Sequence, residues 1–285
     1  MKVLRMLTVK NEIDILHRNI EWYSNQGIPT VAIDNGSTDG SYELLCSLSS
    51  DKLLSCQQML TQGYQEQELL KRVHNLARLH NPDWLVLADA DEFYESPVPN
   101  ESFRDGLERI SNEGYNLLQL HNIEFWMTEK DDLSEPDPLR RIRHYSYFDS
   151  NRYKAYPNMP GLDIATKIGH VPIFPENVPI MLCPQVFISR HYKFRSLNQG
   201  YQKIKQVAPT QEHRDQNFHY VQFREESQFF IIPSSRLTYY DEDKKWIIER
   251  KFDGGRMTRE QMMEYLGMQD EAQLNAWFAS RSLKK

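Results

Sequence analysis

From residue 3 to residue 88 the chain alternates strand-like and helix-like segments, and this alternation restricts its fold more than any other feature. Val3-Leu4-Arg5-Met6-Leu7-Thr8-Val9 is a β-rich run. Asn11 follows as a candidate helix cap, with Asp14 three residues on. Ile13, Leu16, Ile20 and Tyr23 recur at spacings of three and four, which lines them along one helical face. Gly27 ends that helix and Pro29 bars its return. Thr30-Val31-Ala32-Ile33 reads as a second strand, the turn formers Asp34-Asn35-Gly36-Ser37-Thr38-Asp39-Gly40 as a loop, and Tyr42, Leu45 and Leu48 as a second helix. A third strand is expected near Leu53–Gln57. Leu69, Val73, Leu76 and His80 mark a third helix, ended by Asn81-Pro82. Trp84-Leu85-Val86-Leu87-Ala88 is continuously apolar, as a strand buried on both faces should be.

A β-α-β-α-β-α-β order predicts a Rossmann-type, mainly parallel sheet flanked by helices. Such sheets bind ligands beyond the carboxyl ends of their strands. Three polar clusters fall at those ends: Lys10-Asn11-Glu12, Asp34 to Asp39, and Asp89-Ala90-Asp91-Glu92.

The second half is broken by prolines between Pro97 and Pro179 and reads as a smaller mixed region. Tyr115–Leu120 and Gln185–Ser189 look like strands. Ser196 with Gln199 forms a capping box for a helix to about Val207, and Thr258 with Gln261 opens C-terminal helices. We expect a nucleotide-binding half over 1–95, an acceptor-side half of the same domain over 96–255, and a helical segment over 256–285. In the last, Met262, Met263, Leu266, Leu274, Trp277 and Phe278 read as packing, with a dimer contact or a membrane-surface foot as alternatives.

Composition narrows the functional classes. The 285 residues are ample for a large core. A formal charge of −6 argues against a nucleic-acid binder, which needs a positive face. No apolar run approaches the roughly 18 to 20 residues of a membrane span, and Met1 to Arg5 lacks the apolar stretch of a signal peptide. The expected address is the cytoplasm. Cys46, Cys56 and Cys183, odd in number and without C-x-x-C spacing, read as buried reduced thiols.

Asp89 and Asp91 are the chemical centre. Two carboxylates at i and i+2, directly after a buried parallel strand, offer hard oxygen ligands to Mg²⁺ or Mn²⁺. Such an ion can bridge a diphosphate and stabilise it as a leaving group. The second Asp-x-Asp, Asp241-Glu242-Asp243, lies in a charged stretch that reads as surface.

Taken together, Val9-Lys10-Asn11-Glu12, Asp34 to Ser41, and Trp84 to Phe93 resemble the family 2-like glycosyltransferases of GT-A fold. The likeness covers residues 1–95 well and the rest loosely, through Ser189-Arg190-His191-Tyr192 and Arg195-Ser196. It implies a GT-A-like α/β fold, a nucleotide-sugar donor, a divalent metal and inverting transfer to a glycan or glycolipid acceptor. It implies that Asp89, Asp91 and a late histidine, His191, hold the metal, with His170 as the competing histidine. Lys10, Asn11, Glu12, Asp34, Arg72, Asp89, Ala90 and Arg195 would then contact the donor. Lys10 and Arg72 serve equally well as solvated surface cations, and Glu12 as a helix-dipole partner. An inverting transfer also needs a base for the acceptor hydroxyl. Glu124, expected just after a strand and beside aromatic residues, is one candidate; Asp163 is the other. Glu92 reads as a brace behind the metal. Two competing classes are a haloacid dehalogenase-like phosphatase and a non-catalytic carbohydrate-binding protein on a degenerate transferase fold. The first would continue Asp-x-Asp with Gly and then Thr or Val, where this chain has Glu92 and Phe93.

Overall fold

The structure is a computed structural model that describes residues 1–61, 65–164, 171–207, 231–241, 255–256, 260, 263 and 268–282. His170, Thr258, Gln261, Met262, Leu266 and the pair Glu242 and Asp243 lie outside the described residues.

The first ninety residues form the expected alternation. In chain order they are β1 (Val3–Val9), α1 (Ile13–Ser24), β2 (Thr30–Asp34), α2 (Ser41–Ser47), β3 (Leu53–Gln58), α3 (Glu66–Arg78) and β4 (Trp84–Leu87). The four strands are parallel in the order β3-β2-β1-β4. Alternate β1 residues point to opposite faces. Leu4 and Met6 pack with Val31, Leu85 and the α3 residues Leu69, Val73 and Ala77. Leu7 and Val9 pack with Ile15, Leu16 and Ile20 of α1. Both faces are covered, which is why β4 reads as an unbroken apolar run and β1 and β2 as mainly apolar ones.

The rest of the chain builds the second sheet and adds one strand, β8, to the first: β5 (Glu92–Glu95), α4 (Phe103–Asn112), β6 (Leu117–Trp126), α5 (Pro138–Arg141), β7 (His144–Arg152), β8 (Ala155–Pro157), β9 (Met181–His191), α6 (Leu197–Val207), β10 (Thr238–Tyr239), β11 (Gly255–Arg256) and α7 (Glu271–Ser282). Its order is β10-β7-β6-β9-β11, with β5 also on β9. The halves interleave. β5 follows the first sheet immediately yet pairs in the second, and β8 returns antiparallel to the edge strand β4. Phe93, Ile123, Phe125, Ile188 and Tyr192 then share one core with Leu7 and the α1 residues, locking the sheets together.

Three expectations change. Asn11 does not cap α1. It sits at φ 55°, a left-handed conformation asparagine tolerates, and its side-chain oxygen accepts from the Thr38 amide at 2.7 Å. The first α1 amides are satisfied from the neighbouring loop instead: Glu12 donates to Ser41 Oγ at 3.0 Å and Ile13 to Asp39 Oδ2 at 3.0 Å. The strand expected to end at Leu120 runs on to Trp126, so Glu124 lies inside β6, and β9 likewise extends to include His191. Of the three free cysteines only Cys183 is buried; Cys46 is exposed.

Candidate active site

After Leu87 the chain leaves β4, turns through Ala88 to Asp91 and enters the second sheet as β5. Arg5, fully buried on β1, fixes this turn by donating to the carbonyls of Ala88 (3.1 and 3.3 Å) and Asp89 (3.2 Å). Its guanidinium stacks 4.5 Å from the Tyr23 ring centre, and burial lowers its pKa to about 10.

The turn delivers its carboxylates to different partners. Asp89 is 43% exposed and accepts from Lys154 Nζ at 2.9 Å. Glu92 is fully buried. It accepts from Lys154 at 2.8 and 3.0 Å, from Arg152, from the Tyr94 hydroxyl at 2.7 Å and from the Asp89 amide at 3.2 Å. Burial pushes its carboxyl up, but Lys154 and Arg152 outweigh that and hold it well below the usual range. Lys154, itself buried between β7 and β8, stays charged for the reciprocal reason.

Asp91 faces the corner between β9 and α6. Its backbone carbonyl accepts from the Tyr192 amide at 2.9 Å. Its carboxylate meets Lys203, with His191 Nε2 at 3.5 Å and Arg195 at 3.8 Å. Burial works against its charge, and Lys203, His191 and Arg195 restore it, leaving its pKa well below the usual range. Arg195 is fully buried and holds Glu12 and both carboxylate oxygens of Asp14 (2.8 Å each). Helix α6 is set by Ser196, whose hydroxyl accepts from the Gln199 amide at 3.1 Å, while Gln199 accepts from Arg195 N at 3.0 Å.

His191 stands between two carboxylates because β9 lies between β5 and β6. In register it pairs with Glu92 on one side and Glu124 on the other. Its Nδ1 is 2.8 Å from Glu124 Oε1. Burial alone would lower its pKa; Glu124 and Asp91 override this and push it up to about 9. Asn122 also donates to Glu124 Oε1. Among the described residues, Glu124 Oε2 and Asn122 Oδ1 are buried with no hydrogen-bond partner.

One strand beyond β1, Asp34 is buried at the end of β2, in register with Val9. Its Oδ1 accepts from Gly36 N (2.9 Å), Ser37 N (3.0 Å) and Gln58 Nε2 (3.2 Å), which builds the loop. Its Oδ2 is buried without a partner among the described residues, as is Asn35 Nδ2.

No protein family model matches the chain. No curated protein matches it either. Solved structures give distant likenesses. S. aureus TarS is 10% identical with a TM-score of 0.39, over 78% of this chain and 43% of that one, so this chain spans less than half the length of TarS. TarS 1-349 in complex with UDP-GlcNAc is 10% identical with a TM-score of 0.41, over 80% and 73%. A197 from STIV is 11% identical with a TM-score of 0.30, over 68% and 87%. At these levels the chemistry must be read from the chain's own residues.

The remaining expected residues are spread out. Lys10 is half-buried in the β1–α1 turn, and Ala90 is buried in the core shared by the two sheets. Arg72 lies on the exposed side of α3 and donates to Gln57 Oε1 at 2.7 and 3.0 Å, at the end of β3. Asp163 is exposed and pairs through its backbone with Ile173. Asp89, Asp91 and His191 fit a divalent ion by donor chemistry but not by arrangement. Asp89 turns to Lys154, Asp91 to Lys203, and among the described residues no three His, Cys, Asp or Glu side chains are placed to hold a metal.

Lys154, Arg152, Lys203, Arg5 and Asn122 are not legible as site residues, since a single lysine, arginine or asparagine carries no spacing signal. The one available hint was Lys154 itself, a cation set in Tyr153-Lys154-Ala155-Tyr156.

Proposed function

We propose that this chain is a glycosyltransferase of GT-A-like fold that moves a sugar from a nucleoside-diphosphate sugar to a hydroxyl of a glycan or glycolipid acceptor. The reading is carried by one juxtaposition. The β1 and β4 turns, where this sheet's strand order reverses, lie beside a carboxylate of the second sheet, Glu124, joined to Asp91 through His191. A donor at the strand ends and an acceptor on the second sheet would then meet at Asp91.

In this reading the unpartnered Asp34 Oδ2 and Asn35 Nδ2 offer an acceptor and a donor to the nucleobase edge. The acceptor hydroxyl oxygen attacks the anomeric carbon and forms the new C–O bond. The bond from that carbon to the diphosphate oxygen breaks, its electron pair leaves with the nucleoside diphosphate, and the configuration inverts. Glu124 Oε2 takes the hydroxyl proton. An unpaired buried carboxylate oxygen supports this role, because an incoming O–H would satisfy it. Asp163, the other candidate base, is assigned no part in this step. The divalent ion implied by the family resemblance enters no step here. The physiological setting consistent with this chemistry is assembly of a bacterial-type polysaccharide or lipopolysaccharide in the cytoplasm. Among the described residues, no helix is long and apolar enough to cross a membrane.

A thermal-shift panel of UDP-, GDP- and dTDP-sugars, followed by mass spectrometry of glycan acceptors incubated with the best donor, tests the proposal. A stabilising nucleotide-sugar and a sugar-extended product are expected. Phosphate release from simple phosphomonoesters without sugar transfer would replace the reading with a phosphatase. Binding of glycans with no donor turnover would replace it with a carbohydrate-binding role.

A further inference from the structure

In a doubly wound sheet the ligand crevice opens where the strand order reverses. Here that point lies between β1 and β4, flanked by the turn that carries Glu12 and the turn that carries Asp91. Lys203 of α6 spans it. Its Nζ reaches Asp91 Oδ2 on one side and Glu12 Oε1, at 3.0 Å, on the other. The side chain is 14% exposed, so the ammonium is sheltered without being sealed in. Arg195 fixes the floor of this arrangement by holding Glu12 and Asp14 and standing 3.8 Å from Asp91.

The cations of the site are already distributed. Asp89 is matched by Lys154 and Asp91 by Lys203. A divalent ion entering between the two aspartates would have to displace both lysines. It would leave two sheltered ammonium groups facing a doubly charged ion at close range, a repulsion that the weak dielectric screening of such a site makes expensive. A lysine, by contrast, is a compact charge on a flexible stem and a good partner for phosphate oxygens. Pivoting Nζ from Glu12 and Asp91 towards a diphosphate exchanges one pair of anionic partners for another, and Arg195 and His191 stay behind to match the two carboxylates.

We propose that Lys203, in place of a divalent ion, is the cation that binds the donor's diphosphate and stabilises it as it departs. Glu12 and Asp91 hold the ammonium in position while the donor is absent. The inference rests on the nucleotide-sugar reading above, and its test separates the two.

Binding of UDP, GDP and dTDP to the full chain is measured by calorimetry in EDTA and again in Mn²⁺. Wild type is compared with Lys203→Ala, Lys203→Gln and Lys203→Arg, and the nucleosides uridine, guanosine and thymidine serve as phosphate-free controls. The preferred nucleoside diphosphate is expected to bind in EDTA within about threefold of its affinity in Mn²⁺. Lys203→Ala and Lys203→Gln should each weaken it by about tenfold or more in both buffers, the scale of one lost charge-assisted hydrogen bond. Lys203→Arg should keep most of the affinity, and nucleoside binding should be unchanged throughout, which a merely misfolded variant would not show. Binding that appears only with Mn²⁺ or Mg²⁺ overturns the inference and leaves the transferase reading in place. So does undiminished or tighter binding in Lys203→Gln, which would make the lysine a plug. Absence of binding by UDP, GDP and dTDP alike, in either buffer, overturns both.

Discussion

Glu124 and His191 are joined across the parallel pair β6–β9, with His191 Nδ1 2.8 Å from Glu124 Oε1. Because His191 Nε2 also lies 3.5 Å from Asp91 Oδ2, the imidazole ties the second sheet's carboxylate to the turn after β4. Glu124 keeps its other oxygen unpartnered among the described residues.

Glu124→Gln keeps the shape of the side chain and removes its basicity. It should lower turnover by about 100-fold or more, the usual scale for losing a general base. Nucleoside diphosphate affinity, measured by calorimetry, should stay within a factor of two or so, an energy difference of well under 1 kcal/mol. Turnover near wild type in Glu124→Gln would assign the carboxylate to positioning His191 and send the search for the base elsewhere.

Asp34 has two separable roles, one for each oxygen. Oδ1 holds the Gly36 and Ser37 amides, and Oδ2 is unpartnered. Asp34→Asn preserves an oxygen for the loop while turning the second position into a donor. Nucleotide affinity should fall by about 1 to 3 kcal/mol with little change in melting temperature. Asp34→Ala should lose both affinity and stability. Equal affinity in wild type and Asp34→Asn would confine the residue to the loop.

The buried pair Glu92 and Lys154, flanked by half-buried Arg152 and partly exposed Asp89, leaves little room for unmatched charge. Lys154→Met removes a cation that serves two carboxylates, one of them fully buried. Breaking a buried pair from one side typically costs about 3 to 5 kcal/mol, because the partner stays behind without compensation. Urea unfolding should show a loss of that order. A loss under about 1 kcal/mol would mean that Arg152 alone suffices for Glu92.

Stability should also depend on pH through His191. Its pKa is pushed up to about 9 in the fold, against about 6.5 in the unfolded chain. The stabilisation from its charged form is therefore complete below about pH 6.5 and is lost as the pH rises through about 9. Asp91 and Glu92 act at the other end. Their pKa values are lowered on folding, so their contribution is present above about pH 4 and is lost in acid. Melting curves from pH 6 to pH 10 should show a decline that His191→Gln flattens. An equal slope in both proteins would place the alkaline loss in other groups.

The sequence determined the parallel sheet and the turns that crown it. The signals for both are local: apolar runs of four to seven residues, helical spacings of three and four, and polar clusters where each strand must end. Such patterns survive in one dimension because β1 and β2 meet α1 and α3 within the same ninety residues, while β4 is covered in part from beyond them, by Tyr94, Phe103 and Leu107 among others. The tertiary structure decided the chemistry of the carboxylates. Lys154 meets Glu92 from 62 residues away and Lys203 meets Asp91 from 112 away, separations at which no spacing rule operates. Glu124 and His191 face each other only because β9 is inserted parallel to β6 and antiparallel to β5, a register that no stretch of either strand specifies by itself. Charge pairing depends on distance through space, and only the folded chain fixes that distance.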